Sequence, residues 1–245
     1  MAALKIQGLK KVYKSSHLWK VKRTKALEDL NLEIADNEVF GLLGLNGSGK
    51  TTTIKLILGL LFPTEGEIFV FNQKVPDLKV ASQIGYLPEV SYFFHYLTAK
   101  EILGFYAQLS DVSVDLAKKR IDEVLDLVEL GENKNRRLGE FSKGMLKRVG
   151  LAQALLHNPR LLILDEPMEG LDPVGIRRMR SIILKLKDEG RTVLLSSHLI
   201  SEVEKVCDRI GILSDGRIKE IVNVKTIETD LEELFMDIVQ EGRAQ

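Results

Sequence analysis

The chain has 245 residues, enough to bury a full core in one large domain or in two lobes. Its 35 Lys+Arg and 35 Asp+Glu cancel to a formal net charge of zero, which excludes a global field drawing the whole chain to nucleic acid or to an anionic bilayer. No run approaches the ~18 consecutive apolar residues of a membrane span, the stretch Met1 to Ile6 lacks the layout of a signal peptide, and the single Cys207 rules out an intrachain disulfide. The expected location is therefore the cytoplasm, with Cys207 inert.

Leu4 to Val12 and Ala26 to Ile34 read as the first two strands, an antiparallel start in which Leu27, Leu30, Leu32 and Ile34 alternate in part. Between them, Tyr13 to Lys25 is basic, carries the sole tryptophan and has no clean period, so it reads as an elongated hairpin loop. An aromatic placed here is suited to stack on a nucleotide base, Tyr13 first and Trp19 second. The alternative for Tyr13 is simple packing at a strand end, and the sequence leaves both open.

The stretch Gly44-Leu45-Asn46-Gly47-Ser48-Gly49-Lys50-Thr51 has the form G-x-x-x-x-G-K-[ST]. A short apolar strand, Glu38 to Leu43, precedes it, and Thr52 to Leu61 follows with apolar residues at helical spacing. Strand, glycine loop and helix are the order that a phosphate clamp requires. Backbone N–H groups close on phosphate oxygens, the helix N-terminus adds partial positive charge, Lys50 reaches the β- and γ-phosphates, and Thr51 is a candidate Mg²⁺ ligand.

Beyond the clamp, Ile68 to Phe71 resumes as strand, and Ile84 to Glu89 is an apolar strand ending on a carboxylate with a chemistry that suits the Mg²⁺ site. Tyr92-Phe93-Phe94-His95-Tyr96 follows, an aromatic cluster in a chain that is only 6% aromatic. Thr98-Ala99-Lys100-Glu101 is a capping box that starts a helix at about residue 99. From there to about Leu156 the pattern is helical, with Ile121, Val124, Leu125 and Val128 on one face. A new helix opens at the N-cap Ser142 with Gly144 close by, and the N–H groups of Ser142, Lys143, Gly144 and Met145 form a second candidate anion site.

Leu161 to Leu164 is a continuous apolar run of the buried parallel type, and it delivers Asp165 and Glu166 at its carboxyl end. Asp165 suits Mg²⁺, usually through water, and Glu166 suits a general base for a hydrolytic water. A turn at Gly170 to Pro173 leads into a helix from about Val174 to Asp188. Thr192 to Ser197 is another buried strand, with His198 at its end as a candidate partner of a terminal phosphate. His17, His95 and His157 lack such company and read as ordinary surface or core residues. Ile210 to Glu220 is a hairpin with Asp215-Gly216 as its turn, and Leu231, Leu234, Phe235 and Ile238 share one face of a closing helix.

This ordered set resembles the ATP-binding subunits of ABC transporters over almost the entire chain. Gly44 to Thr51 is similar to their Walker A loop, Leu161 to Glu166 to their Walker B strand, Phe141 to Met145 to their signature loop, Gly170 to Pro173 to their D-loop and His198 to their switch histidine. The resemblance implies an α/β P-loop NTPase fold of the ABC type, with a mainly parallel core sheet, an antiparallel β subdomain and an inserted helical lobe. The expected layout is an ATPase domain at 1–225 with the lobe at about 97–157, and a C-terminal helix at 226–245 packed on it.

The same resemblance implies ATP and Mg²⁺ as ligands, and two copies, identical or related, pairing head to tail. Each ATP would lie between Tyr13 and Gly44 to Thr52 of one copy and Ser142 to Met145 of the other, with Asp172 at the dimer contact. It implies Glu166 and His198 as catalytic residues and Thr51, Asp165 and Glu89 as metal ligands. Integral membrane subunits are the implied partners, no nucleic acid is, and the implied location is peripheral, on the cytoplasmic face of the membrane. Tyr92, Phe93, Phe94 and Tyr96 either line the surface that receives the membrane partner or pack inside the helical lobe.

Three motifs depart from the family pattern: Glu89 stands where glutamine is common, the signature loop has Lys143 and Met145 where glycine and glutamine are commonest, and Glu169 stands in the D-loop where a small residue is usual. The first two departures look like single-domain subunits of bacterial exporters. The other class weighed is a soluble ABC ATPase acting on ribosomes or DNA, which usually has two cassettes or a long coiled-coil insertion. This chain has neither.

Overall fold

The computed structural model describes residues 2–17, 20–110, 112–227 and 229–243, with side chains described for 2–14, 23–110, 112–227 and 229–240. In chain order the elements are β1 (Ala2–His17), β2 (Lys20–Ala35), β3 (Val39–Leu43), α1 (Lys50–Ile57), β4 (Glu65–Val70), β5 (Gln73–Lys74), α2 (Leu78–Ala81), β6 (Ile84–Leu87), α3 (Ala99–Leu109) and α4 (Val114–Leu127). They continue with α5 (Lys143–Leu155), β7 (Leu161–Asp165), α6 (Pro173–Asp188), β8 (Thr192–Ser197), α7 (Ile200–Val203), β9 (Arg209–Ser214), β10 (Arg217–Asn223) and α8 (Leu231–Arg243). The chain divides into two compact bodies, one formed by residues up to Ala81 together with those from Leu194 onward, the other by Ser82–Val193.

The first body holds an antiparallel sheet in the order β2-β1-β4-β5. Leu4 opposes Ile34, Ile6 opposes Leu32 and Leu9 opposes Leu30, and all six side chains are buried. On β2 a spacing of two puts Leu30, Leu32 and Ile34 on one face, as alternation in a half-buried sheet demands, while on β1 a register shift between Ile6 and Leu9 keeps Leu9 opposite Leu30 despite a spacing of three. The pairing does not stop at Val12. Tyr13 opposes Thr24, Lys14 opposes Arg23, and the ladder continues to His17 opposite Lys20. The basic segment expected as a loop is therefore strand along most of its length. Backbone ladder bonds need no apolar side chains, so a polar run with no period extends a hairpin once its flanks are in register. Trp19 lies outside the described residues.

In the same body β3 runs parallel to β9, with Gly41 opposite Ile210 and Leu43 opposite Ile212, and β9 turns back antiparallel into β10. Asp215 and Gly216 both have positive φ, 51° and 72°, as a two-residue turn of the hairpin-favouring hand requires. Glu38 fixes the β2–β3 connection. Its carboxylate accepts from Arg209 Nε at 2.6 Å, from Arg209 Nη2 at 3.0 Å and from the Ala35 N–H at 2.7 Å. That bidentate bond holds the Arg209 guanidinium above its usual range, with partial burial acting against the shift.

The second body pairs β6 with β7 in parallel, Ile84 opposite Leu161 and Leu87 opposite Leu164. Its helices follow the sequence signals closely. Thr98 accepts from the Glu101 N–H at 3.2 Å while the Glu101 carboxylate accepts from the Thr98 N–H at 2.8 Å, closing the capping box that starts α3. Helix α4 buries Ala117, Ile121, Val124 and Leu125, the face that the periodicity marks. Buried Arg148 of α5 donates to the carbonyls of Val128 at 2.7 Å and Glu129 at 3.0 Å, satisfying groups that the end of α4 leaves without helical partners. Arg148→Met would keep the aliphatic packing and orphan both carbonyls. It is expected to destabilise the protein by about 2 kcal/mol, read as a lower denaturation midpoint with unchanged m.

Candidate functional site

In the first body the loop Gly44–Gly49 joins β3 to α1, and its shape is set by residues that admit no side chain. A Cβ at Gly44 would fall 2.5 Å from both the Leu213 carbonyl oxygen and Ser48 Oγ. Gly49 caps α1 with φ 115°, a conformation that L side chains rarely adopt. The β9–β10 turn supports the loop from outside, since the Gly216 N–H donates to the Ser48 carbonyl at 3.1 Å and the Glu28 N–H to the Gly216 carbonyl at 2.9 Å. Ser48 Oγ is buried with no hydrogen-bond partner among the described residues.

Lys50, the first residue of α1, is only 6% exposed. Its ammonium curls back to donate to the Gly44 carbonyl at 2.7 Å and reaches the Leu45 carbonyl at 3.4 Å. The side chain thus spans the concavity of its own loop, where the free N–H groups at the start of α1 also point. The Gly44 N–H donates to the Ser197 carbonyl at 3.3 Å, so the end of β8 is bonded to the first residue of the loop, and His198 is the next residue along. Tyr13 lies beside Thr52. Its hydroxyl lies 3.5 Å from Thr52 Oγ1, Lys11 Nζ lies 5.3 Å from its ring centre, and the residue is 39% exposed. This body brings together Tyr13, Gly44 to Thr52 and His198.

The second body holds the carboxylates. Asp165, the last residue of β7, is 2% exposed, and Glu166 after it is buried with φ 47°. Tyr86 on neighbouring β6 reports their field. Burial first, then the charges of Asp165 and Glu89, push its hydroxyl up to about 12. The carboxylate oxygens of Asp165 and Glu89 in this body are of the type that Mg²⁺ takes. Among the described residues no group of three or more His, Cys, Asp or Glu gathers to form an all-protein metal cage. That combination fits a Mg²⁺ ion, which is commonly held by one or two carboxylates plus substrate phosphates.

Helix α5 opens with Ser142 Oγ accepting from the Met145 N–H at 3.3 Å, and helix α6 with Asp172 Oδ1 accepting from the Gly175 N–H at 2.6 Å. Both are N-caps, and Pro173 at the first turn of α6 strengthens the second. Gly170 has φ 67°, and a Cβ there would strike the side chain of Lys143, so the turn before α6 lies directly against the start of α5.

Lys147 is a residue that the motifs did not single out. It is 5% exposed and donates to the Glu89 carbonyl at 2.6 Å. Burial pulls its ammonium below the ordinary lysine range, aided by nearby Lys143, while Glu169, Glu89 and Asp165 act against the shift. A cavity of about 250 Å³ beside it is lined by Glu89, Ser91, Lys143, Lys147 and Glu169, among others. The signal available in the sequence is the charged pair Lys147-Arg148 between Leu146 and Val149, on a helix that is apolar from Val149 to Ala152. His157 keeps its ordinary reading, with Nε2 3.0 Å from the Ile84 carbonyl.

Comparison with known proteins follows the same lines. A family model described as ABC transporter matches residues 27–169. An uncharacterized ABC transporter ATP-binding protein of Nostoc sp. (strain PCC 7120) is 45% identical over 212 residues, 86% of this chain and 63% of that protein. The bacitracin transport ATP-binding protein of Bacillus licheniformis is 43% identical over 199 residues, 80% of this chain and 64% of that protein. The chain thus spans less than two thirds of the length of either relative.

Among solved structures, an ATP-binding subunit of an ABC transporter superposes with a TM-score of 0.80 at 30% identity, covering 96% of this chain and 99% of that one. A dimeric ATP-binding cassette in a post-hydrolysis state bound to ADP and Pi gives a TM-score of 0.80 at 28% identity, covering 91% of this chain and 100% of that one. The fold is that of the ATP-binding cassettes. Removing the α6 cap by Asp172→Ala is expected to cost about 1 kcal/mol of stability, visible as a lower melting temperature, whereas Asp172→Asn retains most of it.

Proposed function

This chain belongs to the ABC transporter family, and we propose that it is the ATP-binding and ATP-hydrolysing subunit of an exporter, acting with separate membrane subunits on the cytoplasmic face of the membrane. The observation that carries the reading is the phosphate loop. Buried Lys50 is folded across a glycine turn whose first N–H is bonded to the residue before His198. Among the described residues no helix is long and apolar enough to cross a membrane. The bacitracin transport relative supports transport over a ribosomal or DNA-directed role.

In this reading Lys50 and the N–H groups of Gly47 to Thr52 hold the β- and γ-phosphates, and Tyr13 stacks on the base. Thr51, Asp165 and Glu89 hold Mg²⁺, which supplies charge neutralisation at the phosphate oxygens. The Glu166 carboxylate accepts a proton from the attacking water, the new P–O bond forms at the γ-phosphorus, the bond to the leaving ADP oxygen breaks, and His198 hydrogen-bonds the terminal phosphate. Two copies, or this chain and a related one, pair head to tail, and Ser142 to Met145 of one copy meet the phosphates held by the other. A nucleotide touching both chains favours the pair by its differential affinity. The dimeric cassette structure supports that arrangement. With Lys143 in place of glycine, the signature loop adds a cation near the trans phosphate.

The aromatic cluster supports a docking role for part of its length. Tyr92 is 86% exposed and Phe94 and Tyr96 are also exposed, their rings 5.8 Å apart. Phe93 is different. It is half-buried and meets Tyr106 edge-on at 6.4 Å, so it packs against α3. Tyr92, Phe94 and Tyr96 form the surface that receives the membrane partner, where exposed aromatics serve as anchors.

Lys50→Ala is expected to weaken ATP binding about 100-fold, measured by equilibrium binding of a fluorescent ATP analogue. Glu166→Gln is expected to keep that affinity while its turnover falls at least ~100-fold and a dimer accumulates with ATP. Turnover equal to that of the parent would remove Glu166 from the general-base role. Tagged Glu166→Gln recovered from detergent-solubilised membranes with ATP should carry a stoichiometric multi-span protein. Recovery with ribosomal or DNA-associated proteins instead would contradict the transporter reading.

A further inference from the structure

Helix α5 is fastened to the segment that follows β6 at two points one helical turn apart. At the first, Lys147 Nζ donates to the Glu89 carbonyl at 2.6 Å. At the second, Gly150 lies so close that a Cβ would fall 2.7 Å from Leu87 Cδ1 and 2.7 Å from Ser91 Oγ. Residues 147 and 150 share a face of the helix, and residues 87–91 lie along it. Ser91 Oγ is buried there without a hydrogen-bond partner among the described residues.

A lysine ammonium this buried is costly to desolvate, and a methionine of similar length would fill the space without that cost. The bond it makes goes to a backbone carbonyl 58 residues away in sequence, at the residue proposed to present a carboxylate to Mg²⁺. Because the acceptor is the main chain, the clamp sets where the Glu89 backbone sits and leaves the carboxylate oxygens out of the bond. The same helix begins at Ser142, so the placement of Glu89 is tied to the element that carries the signature loop.

We propose that Lys147 is a positioning residue that holds Glu89 in place for Mg²⁺ by anchoring its backbone to the signature helix. The proposal rests on the reading of Glu89 as a metal ligand. Its consequence is specific to the metal: loss of the clamp weakens the contribution of Mg²⁺ to nucleotide binding and leaves the metal-independent part alone. Supporting groups that orient a metal ligand typically change metal affinity 10–100-fold when removed.

The test is binding of a fluorescent ATP analogue to the full chain across a Mg²⁺ titration and in EDTA, for the parent, Lys147→Met, Lys147→Arg, Glu89→Ala and the Glu89→Ala/Lys147→Met double variant. Lys147→Met is expected to raise the half-saturating Mg²⁺ concentration about tenfold with the EDTA affinity unchanged, and Lys147→Arg to recover most of the loss. Glu89→Ala should give a shift of similar size, to which Lys147→Met adds nothing, because the two residues act through one ligand. A normal Mg²⁺ curve for Lys147→Met beside a shifted one for Glu89→Ala overturns the clamp alone. An unshifted Glu89→Ala overturns the metal-ligand reading and the clamp with it. Equal losses in Mg²⁺ and in EDTA would make Lys147 a packing residue and overturn the proposal. Should Lys147→Met fail to fold, Lys147→Gln, with its shorter donor, is read by the same two measurements.

Discussion

A buried ammonium and the oxygens that must meet it organise the phosphate loop. Lys50 cannot be desolvated without partners, and the Gly44 and Leu45 carbonyls bend round to supply them. That bend leaves no room for a Cβ at Gly44 and needs a left-handed residue at Gly49. It also turns the first N–H groups of α1 into a concave, electropositive surface. The chemistry follows from the same cost. Phosphate oxygens are better partners for a buried cation than neutral carbonyls, so a nucleotide's phosphates suit this site.

The second body solves the opposite problem, the burial of negative charge. Asp165 lies at the carboxyl end of a strand whose residues are all buried, with Glu166 beyond it in a positive-φ conformation. Burial and the charges of Asp165 and Glu89 raise the Tyr86 hydroxyl beside them, and two adjacent buried acids cost stability unless their charges are met. A divalent cation and a water to be deprotonated are the kinds of partner that make such an arrangement useful. Lys147 fits the same electrostatic logic, since its charge is buried among Glu169, Glu89 and Asp165 and its bond is spent on the Glu89 main chain.

Local signals in the sequence were the most legible. The capping box at Thr98, the N-caps at Ser142 and Asp172, the Asp215-Gly216 turn and the buried run at Leu161 to Leu164 each depend on a few neighbouring residues, and the structure has each of them. Features set by distant partners were not legible. The strand character of the basic segment depends on which residue faces which across the hairpin, and ladder pairing leaves no trace in a run of Lys and Ser. The Lys147 clamp joins positions far apart in the chain, so nothing near Glu89 announces it. Phe93 and Phe94 are identical neighbours in sequence, yet of the two only Phe93 meets Tyr106, a partner set by the placement of α3.

The central claim is that a nucleotide site is built from two chains, the phosphate loop of one and the signature loop of the other. Mixing two inactive proteins tests it most directly, one carrying Lys50→Ala and the other Ser142→Arg. Head-to-tail pairing predicts that each is inactive alone and that an equimolar mixture regains ATP hydrolysis to roughly a quarter of the parent level, because half of the dimers then hold one intact composite site. A Ser142→Arg protein that hydrolyses ATP normally by itself, or a mixture that stays as inactive as its components while still dimerising, would contradict the account.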